Sequence, residues 1–387
     1  MSDASATTDP VAATAAIGSA VHEVHWRDAL PWWILFRAAG MAFSPTVIML
    51  AALGGLAMWA GWAVIDSVTG PVACLELPAA SATTVSAEAL PNATAMVARL
   101  PAPLSDAGRL LAAPFNPAVT LSHAAAAAAR LLWFVLAWSL FGTAITRHAA
   151  VTMIGEESPG FLGGLRYGVS RWPSSFNSVA FVLLGVAVLS IPGAILGLLM
   201  RADWGLAIAG VVWPLVLGGS LVLAILIIGL IAGWPLMVAA VGVERGDSFQ
   251  AISTAFSYLY QRPLHYLFYA VVACVVFVPA LGAAGLFADA TTSLAFWATS
   301  FGMGHARTTG LLETAASAVG EAATAAPTFG LRAILFWQDC IKTLLGSFAW
   351  GYFWAIATAA YMLLRRDVDG TELDEVVLDE LPGEAAA

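Results

Sequence analysis

Six stretches of this chain, at about 45–65, 131–150, 178–199, 214–243, 263–287 and 343–364, are apolar throughout and nearly free of charge. A bilayer core about 30 Å thick is crossed by about 20 apolar residues in a helix. Inside lipid each backbone N–H and C=O must find its partner within the protein, which a helix provides and an open strand does not. The fold class that follows is an all-α integral membrane protein. Composition agrees, with 60% hydrophobic residues, 11% charged and a mean hydropathy of +0.83, far from the soluble norm. The fourth run continues upstream from Val212 to Trp204 and contains Pro214 and Pro235, so a long helix kinked at one proline is expected.

Arginine and lysine near the span ends set orientation. Arg27, Arg37, Arg147, Arg166, Arg171, Arg245, Arg262, Arg365 and Arg366 fall on the N-terminal side, and the opposing set is mostly in long loops. Both termini are therefore expected in the cytoplasm. Residues 1–44 form an N-terminal segment with an interfacial helix, 45–364 the six-helix domain, and 365–387 an acidic tail. The outer loops, 67–130 and 288–342, are rich in Ala, Ser, Thr and Pro, and 98–112 has the pattern of a surface-lying helix. One lysine, Lys342, beside fifteen arginines and abundant Ala and Gly suggests a bacterial chain and its inner membrane. No apolar leader stands before the first span, so that span is expected to direct insertion.

Residues 149–180 align with 239–270 at a constant offset of 90: Ala149, Ala150, Val151, Ser158, Pro173 and Ala180 match Ala239, Ala240, Val241, Ser248, Pro263 and Ala270. Ala359, Ala360, Arg365 and Asp367 repeat Ala239, Ala240, Arg245 and Asp247. Pro45, Pro173 and Pro263 each stand before an odd-numbered span, where proline suits a helix's first turn. The unit read here is a hairpin of amphipathic surface segment, proline, span out, outer loop and span back, used three times. This pattern, over roughly 140–290, resembles that of bacterial multi-pass proteins similar to the membrane domain attached to some glycerophosphodiesterases. The resemblance implies a fold type and no activity.

Asn116 to Thr120 spell NPAVT, a string that resembles the pore motif of aquaporins. That family uses two such motifs meeting mid-membrane. This chain has asparagine only at 92, 116 and 177, and only Asn116 precedes a proline. The string also precedes the second span instead of following it. Asn116 and Pro117 read as the cap and first turn of a helix leading into that span.

Small residues four apart let helix backbones approach in lipid. Ser347, Gly351, Ala355 and Ala359 make such a stripe, as do Gly193 with Gly197 and Gly229 with Gly233, for contacts within the bundle or between copies of the chain. Asp339 and Lys342 share a helix face and are the candidates for an ion pair or a polar pathway. Arg147, His148 and His265 read as headgroup-level residues. His22 and His25 lack acidic or cysteine company, and no cysteine pair has metal spacing, so no metal and no cofactor are expected. A Cys74–Cys340 bridge stays open. There is no basic stripe for nucleic acid and no catalytic constellation. The expected function is a non-catalytic scaffold or accessory subunit, touching the bilayer and a protein partner through its acidic tail. The alternative is a transporter or channel, with a path lined by Ser139, Thr143, Thr146 or Asp339.

Overall fold

The computed structural model describes residues 30–69, 121–318, 329–373 and 375–376. All regular structure in them is helical. A short 3₁₀ turn, Pro31–Trp33, leads into α1 (Ile34–Met41) and α2 (Pro45–Thr69). Then come α3 (Leu121–Ile154), α4 (Gly160–Leu199), α5 (Asp203–Glu244) and α6 (Ser248–Gln261). α7 (Pro263–Met303), α8 (His305–Ala318) and α9 (Phe329–Asp369) complete the chain. Six of these, α2, α3, α4, α5, α7 and α9, are long and apolar enough to cross a membrane. Neighbours in sequence pack together, α2 with α3, α3 with α4, α4 with α5, and α7 with α9, and α9 also packs on α2 and α5. The protein is an all-α, multi-pass membrane protein.

The helices outrun the expected spans. α5 has 42 residues, about 63 Å at 1.5 Å per residue, and runs through both Pro214 and Pro235. α3 starts at Leu121, while Asn116, Pro117 and the rest of the NPAVT string lie outside the described residues, as do Cys74, His22, His25 and 98–112. Cys340 carries a free thiol. The three prolines behave differently. Pro45 and Pro263 open α2 and α7, but Pro173 lies inside α4. The amphipathic surface segment expected before Pro173 is thus one piece with the third span. Gly164 and Gly168 hold it against α3: a Cβ on Gly168 would sit 2.6 Å from the Leu140 carbonyl oxygen. At the matching junction after α6, Arg262 leaves helical geometry (φ −130°, ψ 55°), and two helices result.

α9 is the hub. Its second half, Ser347 to Leu364, is buried nearly without interruption and packs against α1, α2, α3, α5 and α7. Trp138 and Trp350 stack with centroids 4.0 Å apart, and Trp354 meets Trp234 edge-on at 5.2 Å. Small residues make room for these rings: a Cβ on Gly142 would stand 2.8 Å from the Trp354 indole. The chain enters and leaves at one end of the bundle, the tail end, since Trp32 packs on Phe268 and Asp367 accepts from the adjacent Tyr269.

Candidate functional site

The residues singled out in the sequence scatter. Asp339 and Lys342 do pair, at 3.1 Å, but on an outward flank of α9 with both side chains more than 70% exposed. Ser139, Thr143 and Thr146 are fully buried, far from that pair in the helix order. Thr143 Oγ1 donates to the Ser139 carbonyl and shares a 2.6 Å hydrogen bond with Ser175 of α4. A Cβ on Gly242 would come 2.2 Å from Thr146 Oγ1. This hydroxyl stripe is a contact between α3, α4 and α5.

The small-residue stripes divide. On α9, Ser347 and Ala355 are buried, and Gly351 lies against Val47 of α2. Gly229 and Gly233 of α5 receive Phe256 and Ala255 of α6, so α6 runs lengthwise and antiparallel along α5. Gly193 and Gly197 of α4 have nothing within 4 Å of where a Cβ would stand; among the described residues no other helix reaches them.

The polar groups that do converge are at the tail end. α5 ends in Arg245, the one non-glycine residue with positive φ (60°) among the described residues. A helix C-terminus leaves carbonyls without intrahelical donors and carries partial negative charge. Here α3 and α4 supply the donors and the compensating charge. Tyr167 donates to the Val241 carbonyl at 2.7 Å, Arg147 to Gly242 and Arg171 to Arg245, both at 3.4 Å. The Arg147 and Arg245 guanidinium carbons stand 5.1 and 5.9 Å from the Tyr167 ring centroid. Arg147 and His148, expected at the span end, are only 3% exposed, being covered there by other helices.

Beside this, Glu244 ties three elements. Its carboxylate accepts from Arg365 Nε at 3.0 Å, from the Tyr361 hydroxyl at 2.6 Å and from Gln250 Nε2 at 3.0 Å. Asp247 caps α6 through the Gln250 amide at 2.8 Å. Tyr258 donates to Asp369, and Tyr269 to Asp367 at 2.7 Å. Burial, then the Asp369 hydrogen bond and charge, hold the Tyr258 hydroxyl well above its ordinary pKa. It therefore stays a donor at neutral pH.

Sequence reading singled out Arg245, Asp247, Arg365 and Asp367 as the repeated exit of the spans, and all four belong to this network. It missed Glu244 and the tyrosines. Each of the seven tyrosines donates its hydroxyl to another helix: Tyr167, Tyr260, Tyr266 and Tyr352 to main-chain carbonyls, Tyr258, Tyr269 and Tyr361 to carboxylates. The signal available was their confinement to 167–361, with two in α6 and two more in the first turns of α7.

The tail joins in as well. Arg365 Nη1 donates to the Glu375 carbonyl at 2.6 Å, Val376 is 9% exposed and Leu373 packs on the core. What the arrangement does chemically is fasten: its carboxylates accept from phenols, an amide and a guanidinium of other elements. Among the described residues no three His, Cys, Asp or Glu side chains gather as a metal ion would require. Comparison with family models, with curated proteins and with solved structures finds no match for this chain.

Proposed function

We propose that this protein is a non-catalytic scaffold or accessory subunit of a bacterial inner-membrane complex, with both termini in the cytoplasm. The observation that carries this reading is the outer part of the α4–α5 hairpin. From Trp204 to Val243 α5 has 40 residues without one charge, about 60 Å of helix. A core about 30 Å thick, crossed at a tilt of about 40°, accommodates about 39 Å. Leu184, Val188, Ile191 and Ile195 of α4 and Val211, Leu215, Leu221 and Val222 of α5 all point away from the bundle. Exposed apolar surface on this scale meets lipid or another protein, and the length of it beyond what the bilayer core accommodates suits helices of a membrane partner. The open face at Gly193 and Gly197 permits the close backbone approach that lipid-embedded helices use. The bundle interior supports the same reading, because the hydroxyls of Thr143, Thr146, Ser175 and Ser178 are taken up in helix contacts and only Ser139 Oγ of that stripe is left without a partner.

Gly193→Leu with Gly197→Leu tests it. Nothing described within the chain stands where the new side chains begin, so the isolated protein keeps its melting temperature. In mildly extracted native membranes the wild-type chain is expected to migrate well above its own mass, and the double variant to fall to the mass of the free chain. Comigration of the two proteins would sink the docking of this face, and solute or ion flux through vesicles containing the chain alone would replace the reading with a transporter.

A further inference from the structure

α9 ends at a fixed point, and the chain then turns back. Asp367 and Asp369 accept from Tyr269 and Tyr258, which ties the last turn of α9 to α7 and α6. Gly370 has a φ of 71° and its amide donates to the Arg366 carbonyl, a left-handed reversal of the kind that ends many helices. Further on, the Glu375 amide donates to the Glu372 carbonyl at 3.3 Å. Leu373 packs on the core and Val376 is 9% exposed, while the Glu372 and Glu375 side chains stay in solvent. A segment that served only as a solvated acidic end would leave its valine in water.

Arg365 joins this returning segment to the bundle. Its Nε pairs with Glu244 of α5 at 3.0 Å, and its Nη1 donates to the Glu375 carbonyl at 2.6 Å. The guanidinium is a rigid plane, so a hold on one nitrogen positions the others. Glu244 is also the acceptor for Tyr361 of α9 and Gln250 of α6. We propose that Gly370, Leu373, Glu375 and Val376 form a strap that can open, with Arg365 as its buckle. Closing the strap steadies the junction of α5, α6 and α9, and drawing it off loosens that junction. The coupling runs through one side chain and is reciprocal, so loss of the Glu244 pair also frees the strap. A partner that grips the tail thereby acts on the helix bundle as well. The strap stands independently of the docking face on α4 and α5.

Thiol labelling of the full chain in detergent tests it, with Cys74, Cys274 and Cys340 replaced by serine. Single Glu375→Cys and Val376→Cys variants are timed against a water-soluble maleimide. Val376→Cys is expected to react at least about tenfold more slowly than its neighbour, because labelling must wait for the strap to open. Arg365→Lys keeps a charge for Glu244 but removes the second arm, and is expected to speed labelling at 376 about fivefold. Glu244→Gln is expected to speed it about threefold; Arg365→Lys carries the test if Glu244→Gln does not fold. Tyr361→Phe takes a different donor from Glu244 and is expected to leave the rate unchanged. In the reverse direction, Val376→Asp is expected to cut the stability lost in Glu244→Gln to about half, the strap's share being already gone. Equal rates at 375 and 376 overturn the strap. A rate at 376 that ignores Arg365→Lys, or that Tyr361→Phe raises equally, overturns the buckle, and so does a Glu244→Gln loss that Val376→Asp leaves whole.

Discussion

α5 and α9 run side by side in the same direction, joined at Trp234–Trp354 and again at Glu244–Tyr361. Yet they are opposites. Of the six long helices, α5 has the most apolar stretch, and 11% of that stretch is buried within the protein; α9 has the least apolar, and 94% of it is buried. A soluble protein would reverse this, because water drives the most apolar surface inward. Lipid removes that drive, so helices associate through shape, close approach and hydrogen bonds. α9 accordingly carries Ser347, Gly351, Ala355 and Thr358 beside Trp350, Trp354 and Tyr361. Hydropathy in this chain reports contact with lipid, and the core is written in small, hydroxylic and aromatic residues.

The comparison breaks most easily where backbones touch. A Cβ on Gly168 would meet the Leu140 carbonyl oxygen at 2.6 Å and Ala144 Cβ at 2.9 Å; on Gly242 it would meet Thr146 Oγ1 at 2.2 Å and the Arg147 amide at 3.1 Å. Backbone atoms and a β-branched stem have little room to yield. Gly168→Ala and Gly242→Ala are each expected to destabilise the bundle by about 3 kcal/mol, the upper range for overpacking. Unfolding in mixed detergent measures this, and a change below about 1 kcal/mol would show that α3 does not meet α4 and α5 as closely as described.

Next comes Glu244→Ala. It leaves Arg365 without its ion pair, and Tyr361 and Gln250 without their acceptor. Breaking a buried pair costs about 3–5 kcal/mol, but these side chains retain 17% and 14% exposure, so water compensates in part. The expected loss is about 2 kcal/mol. Glu244→Gln, which keeps an acceptor for Tyr361, should recover about half of it. Equal loss in both variants would assign the effect to the charge alone.

The tyrosines give a smaller effect with a pH signature. Tyr258→Phe removes one hydrogen bond to a carboxylate, worth about 1–2 kcal/mol. In the folded protein Tyr258 ionises above its ordinary value of 10.0, while in the unfolded chain it ionises near it. The raised value stabilises the fold at every pH below about 10, and that contribution is lost as pH rises through the folded value. The wild-type melting temperature should therefore fall more steeply above about pH 10 than that of Tyr258→Phe. Parallel curves would mean that the phenol is equally free in both states.

Much of this was legible beforehand, and the failures have physical causes. The six spans and the start of α7 at Pro263 follow from length, hydropathy and proline chemistry. Asp247 was legible as part of the repeated exit, while its capping of α6 comes from the structure. Pro173 misled because a proline that opens one helix sits inside another when glycines hold the chain on course, and Gly164 and Gly168 do so through contacts distant in sequence. The partners of Arg147, the Gly242 carbonyl and the Tyr167 ring, were not legible because they come from other helices. Glu244 gave no signal of its own: its three donors come from residues 6 to 121 positions away.

The smallest effect sharpens the contrast most. Gly218 and Gly219 lie on the outer part of α5 with nothing within 4 Å of a Cβ position. In water, Gly→Ala in a helix interior gains about 1 kcal/mol, largely by restricting the unfolded chain. A helix in lipid remains a helix when the bundle comes apart, because its backbone groups have no other partners. The unfolded reference then has little freedom to lose, and Gly218→Ala is expected to change stability by less than about 0.5 kcal/mol. A gain near 1 kcal/mol would place this stretch in water as an ordinary helix, and the surface that separates α5 from α9 would then need a soluble partner to cover it.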